Sequence, residues 1–237
     1  MSNCITRHIP NTITCCNLLS GCVAIVMAHQ GCYQAALGFI VLGAIFDFFD
    51  GLLARALKAY SPLGKELDSL ADDVTFGVAP AMMLFSLMHE VALPAWLAPV
   101  AGLLPYAAFL IAAFSALRLA KFNIDTRQTT SFIGLPTPAN ALFWGALIVG
   151  SGDWLSSLPY AVWIILAMVL FCSYLLVSEV PMFALKFKTW GWQGNEIKYV
   201  FLLTCIPLLI LMGISGLAAI IAWYVLLSIV NNSQQKK

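Results

Sequence analysis

Four aspartates have the residue type and the spacing to do chemistry together: Asp47 and Asp50, three positions apart, and Asp68 and Asp72, four apart. At 100° per residue each pair shares one face of a helix. Like charges one helical turn apart repel unless a cation lies between them, so the arrangement itself argues for a metal. Carboxylates alone make an all-oxygen donor set, which favours hard cations, Mg2+, Mn2+ or Ca2+, over zinc. With Glu66 and Asp73 these four account for six of the eleven acidic residues of the chain, all between Asp47 and Asp73. Asp73 turns about 100° from Asp72, which sets it behind the ligands or toward water.

The elements that must carry these carboxylates are membrane helices. Of 237 residues, 61% are hydrophobic and 10% charged, far outside the soluble range, and apolar stretches of about 20 residues, enough to cross a bilayer, recur with no space for a second aqueous domain. The expected fold class is all-α, a polytopic membrane helix bundle of about eight transmembrane helices, at 9–28, 33–57, 63–88, 95–120, 135–151, 159–178, 196–212 and 213–230. Ionisable groups at membrane depth are costly and mark functional sites, so function is to be sought in the acidic stretch. With these eight helices, Arg7, Arg55, Lys58, Lys65, Arg118, Lys121, Arg127, Lys186, Lys188, Lys198, Lys236 and Lys237 fall on one side, while the opposite loops contain no Lys or Arg. The positive-inside rule makes that side cytoplasmic and puts both termini there. Trp96, Trp154 and Trp163 lie near the other face, as interfacial anchors do.

Along the chain, Pro10 suits a helix start and Asn11 or Thr12 could cap it; the opening residues are too short and polar for a signal peptide, so the first helix is expected to stay. Asn17 reads as a helix–helix hydrogen-bond partner. Asp47, Asp50, Gly51 and Ala54 share a face; the two small residues suit either close helix packing or a substrate cradle. Arg55 sits at the edge of that face. A short turn with Ser61-Pro62 as helix start brings the two acidic helix ends together. Arg118 and Lys121 share a face, where terminal bases ordinarily snorkel to headgroups. The loop from Ile124 through Thr129-Thr130-Ser131 to Gly134-Leu135-Pro136-Thr137-Pro138 reads as a shaped, non-helical lead into the next helix. Lys186, Lys188 and Lys198 read as headgroup contacts. The seven cysteines have no metal-ligand spacing and read as packing residues; no role falls to His8, His29 or His89. A net charge of +1 gives no sign of a nucleic-acid partner, and no nucleotide-binding glycine loop appears.

The pattern Asp47-x2-Asp50-Gly51-x2-Ala54-Arg55-x8-Gly64-x3-Asp68-x3-Asp72 resembles, position for position, the signature of the CDP-alcohol phosphatidyltransferase family. IFDFFDGLLAR, ELDSLADDVTFGVAPA, RLAKFN and FIGLPTPANA are similar to its bacterial phosphatidylserine synthase branch; Asp73 departs from it, standing where that branch more often has an apolar residue. The resemblance implies a six-helix catalytic core at 1–178 with two further helices at 179–237, and a homodimer in the bacterial inner membrane with its site open to the cytoplasmic leaflet. It implies transfer of the phosphatidyl group of CDP-diacylglycerol to L-serine, giving phosphatidylserine and CMP. Asp47, Asp50, Asp68 and Asp72 would hold one or two divalent cations, Mg2+ or Mn2+, with Asp72 also the general base. Gly51, Arg55 and Ser61 would contact the CDP-lipid, joined by Asn11, Ala54 and Gly64, while Arg118, Lys121 and Asn123 would hold serine. The same signature serves other acceptors, glycerol 3-phosphate or inositol phosphate. A different class, a transporter whose aspartates bind a cation, would place acids near the bilayer midplane in repeated halves; here they lie at helix ends and no repeat is visible.

Overall fold

The computed structural model describes residues 4–125, 132–183, 191–192 and 195–235. Arg127, Thr129-Thr130-Ser131, Lys186, Lys188, Lys236 and Lys237 lie outside the described residues, and of Cys4 and Arg7 only the backbone is described.

The protein is an all-α integral membrane bundle. Helices α1 (Cys4–His29) and α2 (Tyr33–Ala56) form a long antiparallel hairpin. Its turn needs Gly31, whose φ of 73° is a conformation that side chains with a Cβ resist. After the turn at Lys58, Ser61 caps the next helix, its Oγ accepting from the Gly64 N–H at 2.9 Å with Pro62 in the first turn. That rod runs from Pro62 to Glu90 as three joined pieces: α3 (Pro62–Asp72), a π-helical turn (Asp73–Val78) and α4 (Ala79–Glu90). The sequence suggests one plain helix over 63–88, and the π turn is the departure. Pro80 cannot donate a backbone hydrogen bond within the α ladder, and the widened turn absorbs that gap. It also seats Thr75 between the first two helices, where Thr75 Oγ1 donates to the Asn17 carbonyl at 3.0 Å and a Cβ on either Gly21 or Gly43 would collide with Thr75.

The span expected at 95–120 begins differently. Ala95–Val100 and Leu104–Phe109 are 3-10 segments, and α5 covers only Leu110–Ile124. Pro94, Pro99 and Pro105 remove the donors that a continuous α ladder would need. Helix α6 (Thr137–Ser157) starts two residues later than expected and runs further. Gly134 at φ 75° and Pro136 just before it do not fit a helical start, and the segment is tied down instead. The Gly134 and Leu135 N–H groups donate to the Val180 and Leu175 carbonyls at 2.9 and 3.0 Å, and a two-residue antiparallel pairing sets β1 (Phe132–Ile133) against β2 (Pro181–Met182). Helices α7 (Ala161–Val177), α8 (Glu196–Met212) and α9 (Ser215–Gln235) complete the bundle, with α9 packed on α6 and α8.

Among the described residues, five helical stretches are long and apolar enough to cross a membrane: His8–His29, Tyr33–Ala56, Pro62–Glu90, Leu104–Ile124 and Ser215–Asn232. The 17-residue α7 and α8 sit at the short end of the spanning range. The core gathers Phe76, Met83, Leu84, Leu87, Trp144 and Ile165 between α4, α6 and α7. Outward-facing apolar residues such as Ile210 and Leu211 suit a lipid-facing surface. Trp96 and Trp163 stack with centroids 5.9 Å apart, so two of the three expected anchors share one end of the bundle.

Candidate active site

The end of α2 and the start of α3 approach each other across the short turn at 57–61, and this delivers the carboxylates. Oxygens of Asp47, Asp50 and Asp68 lie within 4.8 Å of one another. Asp50 is buried and Asp47 and Asp68 half-buried, and the Oδ1 atom of Asp68 is buried with no hydrogen-bond partner among the described residues. Three convergent anionic oxygens, with an orphaned carboxylate oxygen on one of the three residues, fit a hard divalent cation. Asp72 stands one turn further along the same face, buried, with Oδ1 accepting from Asn17 Nδ2 at 3.1 Å.

Helix α1 supplies the orienting partners. Thr14 Oγ1 donates to Asp50 Oδ2 at 2.6 Å, a short charge-assisted bond. Asn17 is the helix–helix partner its sequence position suggests, and the group it holds is a carboxylate of the site. The role of Thr14 is not apparent from the family-like signature. A signal for it exists all the same: Asn11, Thr14, Asn17 and Gly21 fall at helical spacing and draw a polar, small-residue stripe along an otherwise apolar helix.

Beside the carboxylates lies a cavity of about 580 Å3 whose wall includes Asn11, Thr14, Gly51, Ala54, Ser61 and Gly64. Tyr60 and Lys65 join it at the exposed mouth. Gly51 faces open space: an added Cβ would meet nothing nearer than an Arg55 guanidinium nitrogen at 4.0 Å. Gly64 differs, because a Cβ there would sit 2.9 Å from Asn11 Oδ1 and 3.1 Å from Ser61 Oγ. The glycine thus lets α1 close against the start of α3. Arg55 is exposed beside Gly51.

The three bases and amides expected around the acceptor are placed unequally. Arg118 on α5 is only 7% exposed; its Nη1 donates to Thr137 Oγ1 at 3.3 Å, its guanidinium lies 5.6 Å from the Phe122 ring centroid, and it is within electrostatic range of Asp72. Lys121 is exposed and donates to the Val177 carbonyl at 3.1 Å. Asn123 braces two helices, its Nδ2 donating to Ser69 Oγ and its carbonyl accepting from Lys65 Nζ, both at 2.8 Å. Asp73 does not simply face water: its Oδ1 is buried with no partner among the described residues, because the direction away from the other carboxylates is occupied by α5. Asn140 on α6, absent from the sequence-based expectations, is fully buried, and neither end of its amide has a partner among the described residues.

Residues 7–150 match the profile of the CDP-alcohol phosphatidyltransferase family. The chain is similar to proteins named CDP-diacylglycerol–serine O-phosphatidyltransferase from several organisms. It is 43% identical to that of Bacillus subtilis over 132 residues, covering 56% of this chain and 70% of the relative. With that of Methanocaldococcus jannaschii it is 34% identical over 172 residues, covering 73% and 72%. With that of Mycobacterium leprae it is 34% identical over 186 residues, covering 73% of this chain and 57% of the relative.

Proposed function

The chain belongs to the CDP-alcohol phosphatidyltransferase family, and we propose that it transfers the phosphatidyl group of CDP-diacylglycerol to the hydroxyl of L-serine, giving phosphatidylserine and CMP. The observation that carries this is the convergence of Asp47, Asp50 and Asp68 beside a cavity walled by small residues. The serine relatives described above supply the acceptor.

Asp47, Asp50 and Asp68, with Asp72 as a fourth carboxylate, would hold one or two Mg2+ or Mn2+ ions. A divalent metal bound there neutralises the diphosphate and stabilises the charge that builds on the departing CMP. The remaining steps fall to the chain itself. Thr14 fixes the Asp50 carboxylate. Gly51 and Ala54 let the diphosphate approach the α2 backbone, and Arg55 adds a guanidinium contact at the mouth. Asn11, Ser61 and Gly64 line the far wall where the nucleotide would lie. Asn17 engages one oxygen of Asp72 and leaves the other to take the proton of the serine hydroxyl as that oxygen attacks the lipid-proximal phosphorus. The new bond joins serine oxygen to phosphorus, and the bond to the CMP oxygen breaks. Arg118 pairs with the serine carboxylate, with Lys121 and Asn123 at the outer edge of that subsite.

The acyl chains would stay in the bilayer while the headgroup reaches the carboxylates from the cytoplasmic leaflet of a bacterial inner membrane, with both termini inside. Residues 1–178 form the catalytic core and 179–237 add two helices, and the working unit is a homodimer. Arg55, Lys58, Lys65 and Lys121, exposed at the carboxylate end, support this orientation through the positive-inside rule. The test is purified protein in proteoliposomes containing CDP-diacylglycerol, offered labelled L-serine, glycerol 3-phosphate or inositol phosphate. Label is expected in lipid from serine alone, with CMP release lost on chelation and restored by Mg2+ or Mn2+. Labelling from glycerol 3-phosphate and not serine would sink the acceptor assignment, and cation flux without CMP release would point to a transporter.

A further inference from the structure

Helices α8 and α9 lie beyond residues 7–150, the segment that matches the family profile. Even so, α9 is joined to the acceptor side of the site by an unbroken series of contacts. Tyr224 on α9 donates through its Oη to the Phe183 carbonyl at 2.9 Å. Its ring packs on the Phe183 ring with centroids 4.8 Å apart, and Phe201 of α8 packs on the same ring at 5.7 Å. The residue that follows β2 is therefore gripped from two helices.

Strand β2 passes that hold on. Pro181 and Met182 pair with Ile133 and Phe132, and the next two N–H groups, of Gly134 and Leu135, are tied to the Val180 and Leu175 carbonyls. The approach is close enough that a Cβ on Gly134 would lie 2.8 Å from the Leu176 carbonyl oxygen. Leu135, Leu175 and Met182 are buried in one cluster with Val225 of α9, so apolar packing closes this clasp as well as hydrogen bonds. Two positions past Leu135 stands Thr137, the first residue of α6, whose Oγ1 accepts from Arg118 Nη1 at 3.3 Å. Lys121 reaches the same clasp from the other side through the Val177 carbonyl. At its start α9 is fixed on α6: Ser215 Oγ lies 2.8 Å from Ser151 Oγ, and a Cβ on Gly150 would collide with Ser215.

We propose that α9 is a brace for the acceptor subsite and that Tyr224 is its positioning residue. By holding Phe183 and β2 it keeps the 132–135 segment, and with it Thr137, where Arg118 is aimed at the acceptor carboxylate. The assignment rests on the serine reading above and deepens it. An arginine side chain loses rotamer freedom when it is fixed, and a guanidinium already held by the protein spares acceptor binding that cost. Loss of the brace therefore weakens acceptor binding and spares the chemistry. The four carboxylates are carried by α2 and α3, whereas α9 packs chiefly on α6, α8 and β2.

The experiment is steady-state kinetics of the full chain in proteoliposomes with Mg2+ or Mn2+, varying L-serine and CDP-diacylglycerol in turn. Tyr224→Phe keeps the ring packing and removes the hydroxyl. The KM for serine is expected to rise about three- to tenfold, the scale of one lost hydrogen bond, with kcat and the KM for CDP-diacylglycerol within about twofold. Trp223→Phe removes a different α9 hydrogen bond, the one to Thr204 Oγ1 on α8, and should leave the serine KM unchanged. In an Arg118→Ala background, Tyr224→Phe should have no further effect on that KM, because its influence passes through the guanidinium. An unchanged serine KM in Tyr224→Phe overturns the brace. So does an equal rise in Trp223→Phe, a fall in kcat with both KM values unchanged, or a full effect persisting without Arg118. If the unmodified protein uses glycerol 3-phosphate and not serine, the serine reading falls, and the brace is judged by the same split in that acceptor's KM.

Discussion

The seam between α1, α2 and α3 and the interior between α5 and α6 are both buried polar regions at one end of the bundle, but they are finished differently. In the first, the side chains of Asp50 and Asp72 are held by Thr14 and Asn17 and Ser61 closes the helix start, with Asn17 Oδ1 and Asp68 Oδ1 left unmatched among the described residues. In the second, Ser115, Arg118 and Asn140 keep polar atoms unmatched among the described residues. The contrast teaches how the proposed chemistry is divided. The donor half, which must bind a metal and a diphosphate in one geometry, is pre-organised by protein hydrogen bonds, whereas the acceptor half is completed by what enters it.

The largest effect is expected in the finished seam. Asp72→Asn should lower CMP release by roughly 10²–10⁴-fold, the range for loss of a general base, while the protein stays folded by circular dichroism; near-normal turnover would remove Asp72 as the base. Next comes the open half: Arg118→Ala should raise the KM for serine by about 10–100-fold, as expected for a lost charge-assisted hydrogen bond worth about 1.5–3 kcal/mol, with the KM for CDP-diacylglycerol little changed. Asn17→Ala should reduce kcat about tenfold with serine KM unaltered, since it orients Asp72 without meeting the acceptor. A serine KM that rises with it would blur the division between the halves. The smallest change belongs to Lys121→Ala, under about fivefold in serine KM, because an exposed base contributes less than about 1 kcal/mol. If Lys121→Ala matches Arg118→Ala, the buried guanidinium is not the main acceptor contact.

Much of the donor half was legible in the chain. Asp47, Asp50 and Asp68 share faces by simple helical geometry, and the short turn with Ser61-Pro62 brings their helix ends together. Membrane character follows from composition. Features that depend on a third helix were harder to see. Thr14 is an ordinary threonine until α1 packs beside Asp50. The direction of Asp73 was computable from helical rotation, but not that α5 would occupy it. Proline spacing near Pro94, Pro99 and Pro105 could have warned against a continuous helix, since each removes a donor. Pro80 hinted at the π turn in the same way. Asn140 stayed hidden because one amide in an apolar helix ordinarily finds a neighbouring helix, and only the packed bundle shows that it has no partner among the described residues.

The π turn at Asp73–Val78 makes the number of residues between the carboxylates and Pro80 a fixed quantity. A π turn holds one residue more than the α geometry around it, so deleting any one residue from this segment would convert it to plain α-helix. The Asp68–Asp72 end would then keep nearly its present rotation relative to the α4 half embedded in the core, because a π turn advances each residue by less than the 100° of an α-helix; what would be lost is the widened backbone that seats Thr75 against Asn17. Such a deletion would leave hydropathy, span length and the facing of the carboxylates nearly untouched and still remove the Thr75 contact between the first two helices. For transplanting this site into another helical scaffold, the register of that segment matters as much as the identity of the aspartates.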